Sequence, residues 1–428
     1  MASSSPATLP EGFEVARHLK RNYAAHSLEG GLFAGGIAFV HPQTLLPRII
    51  ERLGGADWMI AAAPILLMVG FFTPSLFITH RLERLRSLKP FVMWIGIVQR
   101  APYLLVGLIL LLTEDPGQSV LWCVVLAPLS SGLAGGVSVT AWREYIAKSI
   151  PPEKRASLWA LRFVIGGVLG VMAGQFVSYV LTRTSEIHAY GYLHLGVFVL
   201  MTASFGVLAL TREPNLDSTR CHASRSWWSY ALSMRKVVAE DTHLAGYLGS
   251  RALFSGLYIV LPFLSLHALD VLHVPDGYLG RLLMVQMAGS VVGNLVGGYL
   301  GDRQGGRVVM LLSQVSSVVV VLGATRLSTE PGFEALFFSL GVAVGLGGVG
   351  VPTLDLEMSN FAQRMSYQTV IGLSHLTGML GAVVLASTIR HFSSSFALLA
   401  WISAVTLVGS LILLLRLPEP RQARQQVS

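Results

Sequence analysis

Twelve stretches of apolar residues, each long enough to cross a bilayer, punctuate the chain. They fall at about 28–50, 58–79, 90–113, 119–142, 158–182, 192–211, 244–268, 278–300, 307–326, 334–354, 367–389 and 394–416. A spanning helix needs about 20 such residues. Backbone amides in hydrocarbon must be satisfied within their own segment, so each stretch is expected to be a helix. The 428 residues are 53% hydrophobic and only 13% charged, with 44 glycines. That apolar character runs along the whole chain, which excludes a water-soluble domain and a soluble domain on a single anchor.

Residues 212–243 are the one long polar interior segment, with Arg212, Glu213, Asp217, Arg220, Arg225, Arg235, Lys236, Glu240 and Asp241. They divide the runs into six and six. The expected domains are a six-helix bundle with a short tail over 1–211, a linker over 212–243, and a second bundle with its tail over 244–428. With both termini and the linker in the cytoplasm, segments on that side hold 23 of the 31 Lys and Arg, and the opposite side holds five: Arg48, Arg52, Arg183, Arg326 and Arg390. Such a bias sets orientation. It also accounts for the net charge of +8 without a nucleic-acid surface. Cys123 lies in an apolar run and Cys221 in the linker, so the two supply neither a disulfide framework nor a metal site. No removable leader is read at the N-terminus, and the first helix is expected to act as the targeting signal.

The halves also repeat one another. Leu32-Phe33-Ala34-Gly35 matches Leu253-Phe254-Ser255-Gly256 at an offset of 221, and Gly132-Leu133-Ala134-Gly135 matches Gly345-Leu346-Gly347-Gly348 at 213. Agreement with the six-plus-six layout points to a duplicated unit. The pattern predicts an all-α integral membrane protein of twelve transmembrane helices in two pseudo-symmetric six-helix bundles.

After the eighth run the chain reads Gly298-Tyr299-Leu300-Gly301-Asp302-Arg303-Gln304-Gly305-Gly306-Arg307. This resembles the loop signature of the major facilitator superfamily: a glycine, a spacer, Asp-Arg, a glycine and a basic residue. It stands between helices eight and nine, where that family repeats the signature of its first half. The counterpart after helix two, residues 76–86, is degenerate, with Glu83 where an Asp is expected and no glycines. The resemblance implies a small-molecule transporter working by alternating access of its two halves.

A carboxylate at such a turn can accept hydrogen bonds from a helix N-terminus and pair with arginine. Expected cytoplasmic latches are therefore Glu83 with Arg155 and Asp302 with Arg364, with Arg303 and Arg307 beside them. Ionisable groups within spans are costly and default to functional candidates. Arg251 in helix seven and Glu29 in helix one lie at nearly equivalent places, since the offset of 221 sets Arg251 over Gly30. The two could face each other, or grip an anionic substrate and a cation. Arg100 is expected to brace its own half. His41, Gln43, Tyr258, Gln286, Asn294 and His375 complete the candidate substrate-contacting set. Gly166, Gly170 and Gly174, like Gly289, Gly293 and Gly297, have the spacing of close helix packing.

No GxxxxGK[ST] loop is present, which argues against ATP-driven pumping. No cofactor is expected beyond a coupling proton or cation, for which Glu29, Asp355 and Glu357 are the available acids. Expected partners are a small-molecule substrate and lipid, with the chain a monomer in the plasma membrane and both termini cytoplasmic. A non-transporting scaffold or sensor with the same fold is the alternative reading. A membrane enzyme is a remoter one, since His188, His194, His267 and His273 lack catalytic spacing.

Overall fold

The computed structural model describes residues 11–82, 87–213, 238–239, 241–359 and 364–419. The described part of the first half holds α1 (Glu11–Ala38), α2 (Leu46–Arg52), α3 (Asp57–Ala62), α4 (Leu66–Leu82), α5 (Lys89–Leu112), α6 (Gln118–Ser149), α7 (Pro152–Arg183) and α8 (Glu186–Ala209). The second holds α9 (Thr242–Phe254), a 3-10 turn (Ser255–Ile259), α10 (Leu261–Leu272), α11 (Tyr278–Gln304), α12 (Gly306–Gly323), α13 (Glu330–Met358), α14 (Arg364–Phe392) and α15 (Phe396–Arg416). No strand occurs among the described residues.

Ten of these stretches are long and apolar enough to cross a membrane, with α9, the 3-10 turn and α10 counted as one. The helix α1 and the α3–α4 pair stand where the first two spans were expected. The first expected span, 28–50, needs correction. Its helix begins at Glu11 and ends at Ala38, and the chain then turns through Pro42 into the separate α2. The polar start is held in place by Asn22, whose amide donates to the Arg212 carbonyl and accepts from the Arg212 N–H, each at 2.9 Å. Spans two and seven are broken too. Pro64 interrupts α3–α4, and Pro262, which has no N–H to donate, follows the 3-10 turn.

Large apolar side chains cover the flanks of the bundle, with Trp94 73%, Val405 70% and Leu112 84% exposed. Such an apolar surface requires lipid, and the protein is an integral membrane protein.

The two halves pack alike. In the first, α1 lies on α7 and α8, α6 on α4 and α5, and α5 on α8. In the second, α9 lies on α14 and α15, α13 on α11 and α12, and α12 on α15. The sequence offsets hold at atomic level. Gly31 meets Gly166, and the equivalent Ala252 meets Gly378. Ser204 donates to the carbonyl of Glu29, and Ser410 to that of Ser250, again 221 residues on. Gly70 abuts Gly132, and Gly293 abuts Gly345, an offset of 213 on the second member of each pair. These glycines let backbones touch: a methyl on Gly289 would stand 2.0 Å from the Phe338 carbonyl oxygen, and one on Gly341 1.9 Å from that of Gln286.

Candidate functional site

The halves meet through α7 against α11, and through α3 with α4 against α14. The first contact runs from Gly277 and Thr182 down to Gly167 and Val291, then ends; a methyl on Gly298, further along α11, would meet nothing within 4 Å. We call the end where both halves begin and finish the linker end, and its opposite the distal end.

Every hydrogen bond and ion pair that joins the halves among the described residues is distal. Arg48 on α2 binds Asp276, before α11, with Nη2 at 2.7 Å from Oδ1 and Nε at 3.0 Å from Oδ2. Arg52 adds two weaker contacts to the same carboxylate at 3.2 Å. Across the bundle, Arg390 reaches Asp57 at 3.3 Å. Between these lies a polar chain: the Thr44 hydroxyl donates to Gln286 Oε1 at 2.8 Å, and the Gln286 amide donates to Gln43 Oε1 at 3.2 Å. His41 contacts Thr44 at 3.2 Å. Burial pushes the Asp276 carboxyl up, but the hydrogen bonds and charges of Arg48 and Arg52 more than offset this and hold it below the usual carboxylate range.

At the linker end the described bonds stay within each half. Glu213 caps α5, accepting from the N–H groups of Leu88 and Lys89, and Glu357 caps α12 through the Gly306 N–H at 2.9 Å. Glu83 lies outside the described residues, as does the Arg364 side chain. Arg155 donates to the carbonyls of Ala147 and Ile150, at the end of α6 and just beyond it, and Arg307 to those of Leu414 and Leu415 in α15. Asp302 and Arg303 are exposed on the last turn of α11, with Arg303 4.2 Å from the Tyr299 ring centroid.

Each half carries buried charge at its core. Glu29 does not face Arg251, as one sequence reading allowed; it pairs at 2.7 Å with Arg162 of α7, in its own half. Arg162 also donates to the His26 carbonyl and lies against the rings of Trp142 and Trp159, at 4.9 and 5.0 Å from their centroids. A buried pair with its donors used in this way is locked. Arg100 braces its half, donating to the carbonyls of Met201 and Gly96 beside the Phe205 ring.

Arg251 differs. It is 4% exposed, yet its Nε and Nη1 have no hydrogen-bond partner. It stands one turn before the 3-10 break, within coulombic reach of Tyr258, His375 and Asp355. His375 Nδ1 is 2.9 Å from the Ser255 hydroxyl and its ring tilts against Tyr258. The Asp355 carboxylate accepts from the Tyr247 hydroxyl. The structure thus brings together Arg251, Tyr258 and His375 of the expected set. It places His41, Gln43 and Gln286 in the distal closure, and turns Asn294 back onto the Ser290 carbonyl of its own helix.

Sequence reasoning missed Arg48, Arg52, Arg390, Asp57 and Asp276. A signal was present: three of the five basic residues on the side poor in positive charge are the ones that bind across the halves.

The Major Facilitator Superfamily sequence profile matches residues 246–428, nearly all of the second half. The nucleoside transporter NupG, in a crystal structure of a mutant, superposes with a TM-score of 0.68 at 13% identity over 92% of this chain and 99% of its own. Residues 246–428 thus match the Major Facilitator Superfamily, and the whole chain shares the fold of NupG. A bacterial homologue of the human lysosomal transporter Spinster, in an inward-facing and unoccupied state, superposes with a TM-score of 0.56 at 13% identity, covering 94% and 95% of the two chains. In sequence, the chain is 31% identical over 121 residues to the putative metabolite transport protein YfiG of Bacillus subtilis (strain 168), and 27% identical over 190 residues to a D-xylose transporter of Levilactobacillus brevis. The matched stretches span 24% and 40% of those two relatives.

Proposed function

We propose that the protein is a secondary or facilitative transporter that moves a small molecule across the membrane by alternating access, and that it stands here closed at the distal end and open at the linker end. The observation that carries this reading is the confinement of all described cross-half bonds to one end. Ion pairs and a Thr–Gln–Gln chain can be broken and remade as units, which is what rocking of two rigid bodies about a central site requires. The transporter names of its relatives and of its structural neighbours support the same reading.

The bias in Lys and Arg assigns the linker end to the cytoplasm. The conformation is then inward-open, with both termini cytoplasmic and the plasma membrane the residence. The substrate site is read as the Arg251, Tyr258 and His375 cluster beside the break in the seventh span. Glu29 is committed to Arg162, so a coupling proton, if one is used, falls to Asp355. The protein acts as a monomer, since each half completes its core within one chain, and catalysis forms no part of its activity.

Spin labels on Lys154 and Gln304 at the linker end, and on Arg183 and Asp270 at the distal end, test the motion by electron–electron distance measurement in nanodiscs. Two populations are expected, with the linker-end distance shortening as the distal one lengthens. A single fixed distance at both ends would reject alternating access.

A further inference from the structure

We infer that the transported molecule carries one oxyanionic group, a carboxylate or a phosphate, and that Arg251 binds it. The inference rests on the transport reading and names its substrate class.

The case comes from comparing the halves. At the offset of 221, which the Gly31–Gly166 and Ala252–Gly378 contacts and the paired serine bonds fix, Ser250 replaces Glu29 and Arg251 replaces Gly30. A methyl on Gly30 would lie 2.0 Å from the Arg162 guanidinium carbon. Each half therefore places one guanidinium at the same level of its first and fifth helices. In the first half that group has a carboxylate at 2.7 Å, a carbonyl and two indole faces. In the second, the position of the carboxylate is a serine whose hydroxyl is bonded to Ser410, and the guanidinium keeps buried N–H groups with nothing to donate to.

A buried, unbonded donor on a charged group costs free energy that a purely structural arginine has no reason to bear. Asp355 does not relieve it. That carboxylate forms no ion pair with Arg251 and takes its hydrogen bond from Tyr247. It lies beyond ion-pair distance, so the donors of Arg251 stay open. One incoming oxyanion satisfies those donors, and a second would meet Asp355 with like charge. The neighbouring Tyr258 and His375, joined through ring contact and to Ser255, suit the uncharged body of a small organic molecule. A neutral sugar or nucleoside offers the guanidinium only uncharged acceptors, which bond it more weakly than an oxyanion does.

Purified protein is titrated with lactate, benzoate and inorganic phosphate, and with xylose and uridine as neutral probes, at constant ionic strength, and melting is followed. At least one anion should raise the melting temperature saturably. Arg251→Gln should weaken its apparent affinity roughly 10- to 100-fold, the loss of charge-assisted hydrogen bonds. Arg251→Lys, which keeps charge without the planar fork, should fall between. Saturable stabilisation by a neutral probe alone, an anion effect unchanged in R251Q, or no saturable anion effect at all would overturn the inference. Arg251-dependent binding without flux into proteoliposomes would overturn the transport reading and leave this one standing. Flux of a neutral solute untouched by R251Q would do the reverse.

Discussion

Replacing Asp276 by Asn should open the distal end. The Asp276 carboxylate takes two contacts from Arg48, with side chains 10% and 14% exposed, so solvent screens that pair only partly. Arg52 is 42% exposed and adds little. A hydrogen bond to a charged group contributes about 1.5–3 kcal/mol. Because Asn keeps an acceptor and loses the charge, we take about 2 kcal/mol as the loss from the distal-closed state, or roughly 30-fold in the closed-to-open ratio. The readout is Thr44→Cys, placed on a background lacking Cys123 and Cys221. Thr44 is fully buried between the halves, where its hydroxyl meets Gln286. A membrane-impermeant maleimide applied from the distal side reaches it only when that end opens, and the labelling rate follows the open fraction when opening is fast. The D276N protein should label roughly 30-fold faster than the parent. A change of less than about twofold would refute the assignment of this pair as a closure.

The same carboxylate fixes a pH dependence. Its pKa is lowered in the closed state, so its contribution to closure is present above the ordinary value of about 4 and is lost only as pH falls through the lowered one. The distal distance should therefore hold steady from pH 5 to 8; a shift centred near neutrality would assign the closure to another group. Glu29→Gln strands Arg162 in the core and should cost about 3–5 kcal/mol of stability, most of it recovered in the Glu29→Gln/Arg162→Met double variant. Thermal unfolding of the three variants checks this, and a loss below about 1 kcal/mol would deny that the pair is locked. Gly341→Ala drives a methyl to 1.9 Å from the Gln286 carbonyl, so α13 and α11 must part and the yield of folded protein should collapse, whereas Gly298→Ala, which meets nothing, should be silent in the same expression assay.

Much of the architecture was legible from residues alone, because a bilayer permits few solutions. Ten of the expected spans reappear as helices long and apolar enough to cross a membrane, and the two offsets reappear in matching helix contacts, while most of 212–243 lies outside the described residues. The offset of 221 was carried by a single tetrapeptide pair, yet it sets Glu29 over Ser250 and Arg251 over Gly30 in three dimensions. Where the reading went astray, the cause was local. The start of α1 is polar and carries no hydropathy signal; its helix is held by Asn22 and Arg212, a contact 190 residues apart in sequence. The partner of Glu29 was unreadable for a similar reason, since Arg162 lay among five basic residues that orientation alone explained. The cross-half pairs were missed because Arg48, Arg52 and Arg390 were counted as exceptions to a charge bias rather than asked what held them there.

The central claim is that solute crosses only when the distal closure opens. Cysteines at Thr44 and Gln286, joined by a short methanethiosulfonate cross-linker in proteoliposomes, hold that closure shut and release it on reduction. Labelled lactate, phosphate, xylose and uridine serve as the transported probes. The account predicts that at least one of them enters, that its flux stops on cross-linking, and that reductant restores it. Flux that continues through the cross-linked protein, or no protein-dependent flux of any probe, would contradict it.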